Sequence, residues 1–351
     1  MILACLLTAF DSTVNAQEIL HINIGRIVID NQTASSQKKA GEQAFQQVLV
    51  KMSGQPSALQ SDVLKRATLN FEQYLTSSSF IQVNGQLVYQ ASFNQEKMMD
   101  LLKFAEMSIW GNRRPNAILW LATETPNTFN KKLITQMEPS PLKELIKTVA
   151  YGRGIEINVP IGDLADKTNI SIFDVWGLFG STINAHSKRY ATNFTITAKV
   201  SLGFDEVSST EAYIAEWVFI GNGKIESGKS AGLDESEAVE KMLNDYANFL
   251  ASQYAISAQQ FGTVNSIVLT ISDVGTLQRF ATVVDAINSI ALVSNARLIR
   301  QKRDTVTFNV TANANEEILA NILALDDRFR LSDSLGLVPS AQRLHYQWQG
   351  Q

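Results

Sequence analysis

Residues 117–122 read Ala-Ile-Leu-Trp-Leu-Ala, an unbroken apolar run. Such a run is too short to span a bilayer, which takes about 20 apolar residues. It is too uniform for a strand with one wet face, whose side chains would alternate. It is therefore expected to be a strand buried on both faces, and such strands need cover above and below. With 351 residues, 45% of them hydrophobic, the chain can supply that cover and build more than one core.

Upstream, the pattern is β-α-α-β-β-α. Residues 20–29 alternate as a strand carrying Ile22, Ile24, Ile27 and Val28, and Gly25 within it is expected to be a bulge. Ala44, Phe45, Val48, Leu49 and Met52 share one helix face that ends at Ser53-Gly54-Gln55-Pro56. A second helical stretch is expected through about residue 75. Asn84-Gly85 marks a hairpin over 79–93, and Asn94 caps a helix bearing Met98, Leu101, Leu102 and Ala105. These elements form an expected N-terminal α+β domain over 17–110.

The buried run opens a central α+β domain expected over 111–256. It continues with a helix at 140–151, a strand at 155–159, a helical stretch at 171–186 and a hairpin of 192–203 with 212–220. Asp234 and Glu237 form a capping box for a last helix striped by Val239, Met242, Leu243, Tyr246, Phe249 and Leu250. A linker is expected at 255–264. Beyond it, 265–349 reads β-α-β-β-α-β, the ferredoxin-like order. Its first helix is expected to be capped by Asp273, and its last strand to lie at 328–331 or 343–348. The fold class is α+β: two mixed α/β sandwich-like domains followed by a ferredoxin-like βαββαβ domain.

Residues 1–16 stand apart. An apolar run from Ile2 to Phe10 and the small-residue pattern Val14-Asn15-Ala16 have the layout of a signal peptide, although no Lys or Arg precedes the run. Export to the periplasm of the cell envelope is the expectation, and no transmembrane helix is expected in the mature chain. The one cysteine, Cys5, lies inside the run; it would be lipidated only if the true start lay upstream. Cleavage after Ala16 would leave no thiol for disulfides, catalysis or zinc. The formal charge of −4 offers no basic field for nucleic acid.

Gly223-Lys224-Ile225-Glu226-Ser227-Gly228-Lys229-Ser230 fits the phosphate-loop pattern G-x-x-x-x-G-K-[ST] letter for letter. That chemistry needs the glycine loop to enter a helix at once. Here Ala231-Gly232-Leu233 intervene, so Gly221-Asn222-Gly223 is expected to be a hairpin turn and Lys224–Ser230 the returning strand. His21, His186 and His345 fall in no metal or catalytic spacing. Arg297, Arg300, Lys302 and Arg303 are expected to be a solvated strand face. No catalytic, cofactor or metal residue is assigned. Asp163, Asp166 and Asp174 gather near one loop and support the alternative of a periplasmic glycan hydrolase.

Two segments are more particular than packing alone demands. One is Trp110-Gly111-Asn112-Arg113-Arg114-Pro115. The other runs from Gly152-Arg153-Gly154 through Pro160 and Asp163 to Asp174-Val175-Trp176-Gly177 and Ser187-Lys188-Arg189-Tyr190. With Val48–Gly54 upstream, they resemble the bacterial family called domain of unknown function 2066 over most of 20–255. That resemblance implies a periplasmic protein and carries over no catalytic residue. Arg113, Arg114, Arg153, Asp163, Asp174 and Arg189 are the residues expected to meet a partner, either an envelope protein or peptidoglycan. The expected function is a non-catalytic binding or assembly module.

Overall fold

The computed structural model describes residues 21–125, 128–207, 209–258, 264–290, 292–332 and 344–350. The expected export segment at 1–16, with Cys5, lies outside the described residues, as do 259–263 of the expected linker. The fold is α+β, built on three sheets.

The N-terminal layer contains β1 (Ile24–Val28), α1 (Ala34–Ser53), α2 (Asp62–Leu69), β2 (Leu75–Val83), β3 (Gln86–Phe93) and α3 (Gln95–Phe104), with sheet order β1-β3-β2. Thr33 caps α1 by accepting from the Ser36 N–H. Gly54, at φ 74°, ends it by donating its N–H to the Val50 carbonyl. The apolar face of α1 lies on the sheet and forms one core with α2 and α3. Gly25 is not a bulge, because the β1–β3 register runs unbroken. It is glycine because a Cβ there would lie 2.5 Å from the Ala44 carbonyl oxygen, so it lets α1 press against β1. Asn84 and Gly85 both take positive φ, as a type I′ hairpin requires. The second helical stretch stops at Leu69, short of the expected residue 75, and β2 is longer than expected.

The buried run becomes β4 (Asn116–Thr125). After it come β5 (Asn130–Leu133), α4 (Pro141–Arg153), β6 (Glu156–Asn158), α5 (Leu164–Asn169), α6 (Ile172–Trp176), α7 (Gly180–His186), β7 (Phe194–Asp205), β8 (Thr210–Gly221), β9 (Lys224–Gly232) and α8 (Glu235–Tyr254). The sheet order is β5-β4-β7-β8-β9, with β6 beside β4. Strands β6 and β7 run parallel to β4, and β7-β8-β9 is an antiparallel meander. Alternate residues of β4 serve opposite faces. Ala117, Leu119 and Leu121 pack with α4 and α8, whereas Ile118, Trp120 and Ala122 pack with Ile170, Val175 and Ile183 near α5–α7. The expected helix at 171–186 breaks in two at Gly177–Phe179, where Leu178 adopts φ 54°. The phosphate-loop match is strand β9, entered through the Asn222-Gly223 turn; α8 starts only at Glu235.

The C-terminal elements are β10 (Asn265–Ser272), α9 (Leu277–Asn288), β11 (Val293–Lys302), β12 (Thr305–Ala312), α10 (Glu316–Leu323), β13 (Phe329–Leu331) and β14 (His345–Trp348). The sheet order is β11-β12-β10-β14-β13. The β10-α9-β11 crossover with β12 between its strands is the split-βαβ kernel. The edge departs from the ferredoxin-like order, because both alternatives for the last strand are strands. β14 lies parallel to β10, and β13 pairs outside it, antiparallel to β14. Thr276, not Asp273, caps α9; Asp273 has φ 62° and its carboxylate accepts from the Gln347 amide on β14. One apolar core is continuous from Trp110 through α4 and α8 to Phe308, Leu319 and Trp348. Among the described residues no helix is long and apolar enough to cross a membrane.

Candidate functional site

The six residues expected to meet a partner do not form one site. Asp163, Asp166 and Arg189 do come together. Asp163 caps α5 by accepting from the Asp166 N–H at 2.9 Å, and the Arg189 guanidinium grips it with two bonds of 2.9 and 2.8 Å. Asp166 is 3% exposed and accepts from Arg189, the Gly162 N–H and the Tyr190 hydroxyl at 3.1, 2.8 and 2.6 Å. The Arg189 hydrogen bonds, followed by the N–H of Asp166, hold the Asp163 carboxyl at about 2. Asp174 stands apart as the N3 residue of a capping box with Ser171, and the Ser171 hydroxyl and N–H also lower its pKa. Glycan cleavage needs one carboxyl kept protonated near neutral pH. Asp163 and Asp174 are shifted the other way.

The three arginines are fastenings. Arg114 donates to the carbonyls of Lys51, Trp110, Gly111, Arg153 and Gly154, at 2.6 to 3.1 Å, with its guanidinium over the Trp110 ring. Arg153 is 5% exposed and bonds the Gly54 carbonyl, the carbonyl and side chain of Asn244, and the Asn248 side chain. Together they pin α1, α4 and α8 to one another. Beside them lies Lys51, which in the sequence looks like an ordinary last-turn cation. It is 1% exposed, donates to the Ile24 carbonyl at 2.8 Å and sits 3.4 Å from the Tyr151 ring centre. Burial, then the charges of Arg114 and Arg26, hold its pKa well below the ordinary 10.5. Arg113 reaches the C-terminal helices instead, bonding the Ala286 carbonyl and Ser289 hydroxyl at the end of α9 and Asp326 just after α10.

A cleft of about 290 Å³ lies past the carboxyl end of β4, between the first turns of α4 and α8. Such places, outside the carboxyl ends of parallel strands, are where open α/β sheets commonly take ligands. Thr123, Ser140, Tyr213 and Glu235 contribute to its wall, and an adjoining hollow of about 310 Å³ shares Lys132, Leu133, Thr135 and Glu138 with it. Burial pushes the Glu235 carboxyl above its ordinary value, outweighing a hydrogen bond with Thr123. Among the described carboxylates with a resolved shift, it alone moves upward. Nothing local in the sequence marks it, because an acid in the first turn of a helix is ordinary. Only the fold brings Thr123 to it. Among the described residues no three His, Cys, Asp or Glu side chains converge on a metal position.

No curated protein matches the sequence. Among solved structures the chain is similar to a PelC dodecamer from Paraburkholderia phytofirmans, at 14% identity over 40% of this chain and 84% of that one. The TM-score is 0.19, too low for the likeness to carry an argument. Residues 16–111 match the family model described as Domain of unknown function (DUF8605). That match overturns the resemblance to domain of unknown function 2066. Most of the motifs behind that resemblance lie beyond residue 111, where they serve packing: Arg114 and Arg153 tie elements together, and Gly154 ends α4 at φ 64°.

Proposed function

We propose that the chain is a non-catalytic binding or assembly module of the bacterial envelope, exported to the periplasm and working on a protein or peptidoglycan partner. One observation carries the reading: the polar residues that looked most like chemistry are spent on holding the fold. Asp163 and Asp174 cap helices and are held deprotonated; Arg114 and Arg153 bind main-chain carbonyls across three helices. Export rests on the signal-like layout of residues 1–16. The test is crosslinking in intact cells, with fractionation and identification of the captured molecules. Recovery from the periplasm joined to an envelope component is the expected result. A cytosolic location overturns it, as does loss of glycan turnover in a folded Asp163→Asn, Asp174→Asn double variant.

A further inference from the structure

The sheets expose several free edges, and they are not alike. Natural sheets guard such edges with charge, proline, bulges or brevity, because an unpaired row of N–H and C=O groups recruits another strand. On β1 the edge is occupied: the Ile24 carbonyl accepts from Lys51 and the Tyr151 hydroxyl, and the Arg26 N–H donates to Gln47. Strand β5 is short and carries Lys131 and Lys132; β9 carries Lys224, Glu226 and Lys229. Arg297, Arg300 and Lys302 guard β11, whose ladder also slips twice, and β13 is three residues long with Arg330 at its centre.

Strand β2 has none of these guards. From Gln73 to Gln95 there is no charged residue, histidine or proline, in a chain where 18% of residues are charged. Among the described residues β2 pairs only with β3, and its single register slip lies at Leu75/Ser77, leaving Ser77–Val83 regular. Thr76–Ser79 are exposed and Phe80 and Ile81 half-buried. Among the described residues no side chain or loop bonds to the backbone of Ser77–Val83 from outside the hairpin. Of the charged groups that touch the hairpin, Glu144 on Asn84 and Lys97 on the Gln73 carbonyl do so at its ends, and Arg26, on β1 two strands in from the free edge, reaches the Gln90 side chain on β3.

We propose that β2 pairs antiparallel with β2 of a second copy of this chain, about a two-fold axis at Ser79, fusing two three-stranded sheets into one of six. The strand is complementary to itself in that register. Ser78 falls opposite Phe80 of the second copy and Ser77 opposite its Ile81, so a small side chain meets a large one at each position. Charge selects the same edge. A two-fold contact through the cationic β5 or β11 edge sets like charges against each other, whereas the β2 hairpin carries no charge of its own, and Arg26 beside Gln90 stands on β1, two strands in from the seam. This goes beyond the envelope-module reading and does not depend on it.

The experiment is sedimentation of the full chain over a concentration series, with Ser79→Lys and, in a Cys5→Ser background, Ser79→Cys. A concentration-dependent dimer is expected. Ser79→Lys sets two ammonium groups across the axis and weakens it about tenfold with the thermal midpoint unchanged. Ser79→Cys yields a covalent dimer on mild oxidation, whereas cysteine at Ser294 on the β11 edge does not. A monomer at every concentration overturns the proposal. So does a dimer indifferent to Ser79→Lys with no crosslink through residue 79, or a β2 edge that captures only a foreign strand.

Discussion

Lys51 lies beneath the Tyr151 ring, and among the described residues no carboxylate stands within ion-pair distance of it. Its stem packs in the fold while its ammonium is held by one carbonyl and an aromatic face. The unfolded chain titrates this amine at the ordinary 10.5, and the folded chain does so at lower pH. Between those values the unfolded state holds more protons, so stability rises with pH across that window; below it the cost of the buried charge is felt in full. Lys51→Met keeps the volume and removes the charge. It should change stability by no more than about 1.5 kcal/mol at neutral pH and abolish the alkaline rise, read from urea midpoints between pH 7 and pH 10. Glu235 has the opposite dependence. Its folded pKa is raised above 4.5, so the folded state holds more protons just above that value, and stability falls as pH climbs through the window. Glu235→Gln should flatten that fall in the same assay; an unchanged slope would mean the carboxyl is not desolvated. Arg153→Met should cost on the order of 3 kcal/mol, because it strands the buried Gly54 carbonyl and removes the bonds that hold α4 to Asn244 and Asn248 of α8. A shift in the urea midpoint below 1 kcal/mol would show that water replaces the guanidinium there.

Elements differ in how local their causes are. The strand β1 and helix α1 meet through Gly25, and Gly25→Ala places a methyl 2.5 Å from the Ala44 carbonyl oxygen and 2.7 Å from its Cβ. Backbone on both sides must shift, so a loss of about 1–3 kcal/mol is expected, seen as a lower thermal midpoint. A bulge would have tolerated the change. That distinction is not legible in the sequence, because a glycine in a strand signals either a bulge or close approach, and the helix opposite decides which. The hairpin at Asn84-Gly85, the caps at Thr33, Asn94 and Asp234, and the doubly buried β4 depend on neighbours in the chain or on composition, and the sequence displays such causes. The elements that escape a sequence reading share a different origin. Four residues with two lysines form β5 only because β4 lies beside them. The order β10-β14-β13 is hidden because two short segments compete for one edge, and only tertiary pairing lets both join the sheet. The phosphate-loop letters became β9 for a related reason: a glycine motif gains its chemistry from the helix it opens, and here it opens onto more strand.

Across the whole molecule, separate cores would normally mean separate unfolding, since chains of this size seldom behave as a single cooperative unit. Here the fastenings cross the expected boundaries. Arg114 and Arg153 tie the N-terminal layer to α4 and α8, and a bridge pairs Ile109 with Ile256. Arg113 ties the central part to the C-terminal part through Asp326, which Arg328 also holds, above an apolar core that runs unbroken between them. Burial alone would raise the Asp326 carboxyl, but the Arg328 hydrogen bonds and both guanidinium charges outweigh it and keep the acid ionised. Urea unfolding should therefore give coincident transitions by far-ultraviolet circular dichroism and tryptophan fluorescence. Trp110 and Trp348 report on opposite ends of the shared core and Trp120 on the separate cluster behind β4, each less than 3% exposed. Arg113→Met removes three polar bonds across this boundary and leaves the Asn321–Gln253 bond, the Lys224–Glu317 ion pair and the apolar core. Its midpoint should fall by about 1–2 kcal/mol while the two probes stay together. If fluorescence moves first, with circular dichroism trailing, the C-terminal sheet is held to the rest by Arg113 rather than by the shared core, and the molecule unfolds as two bodies.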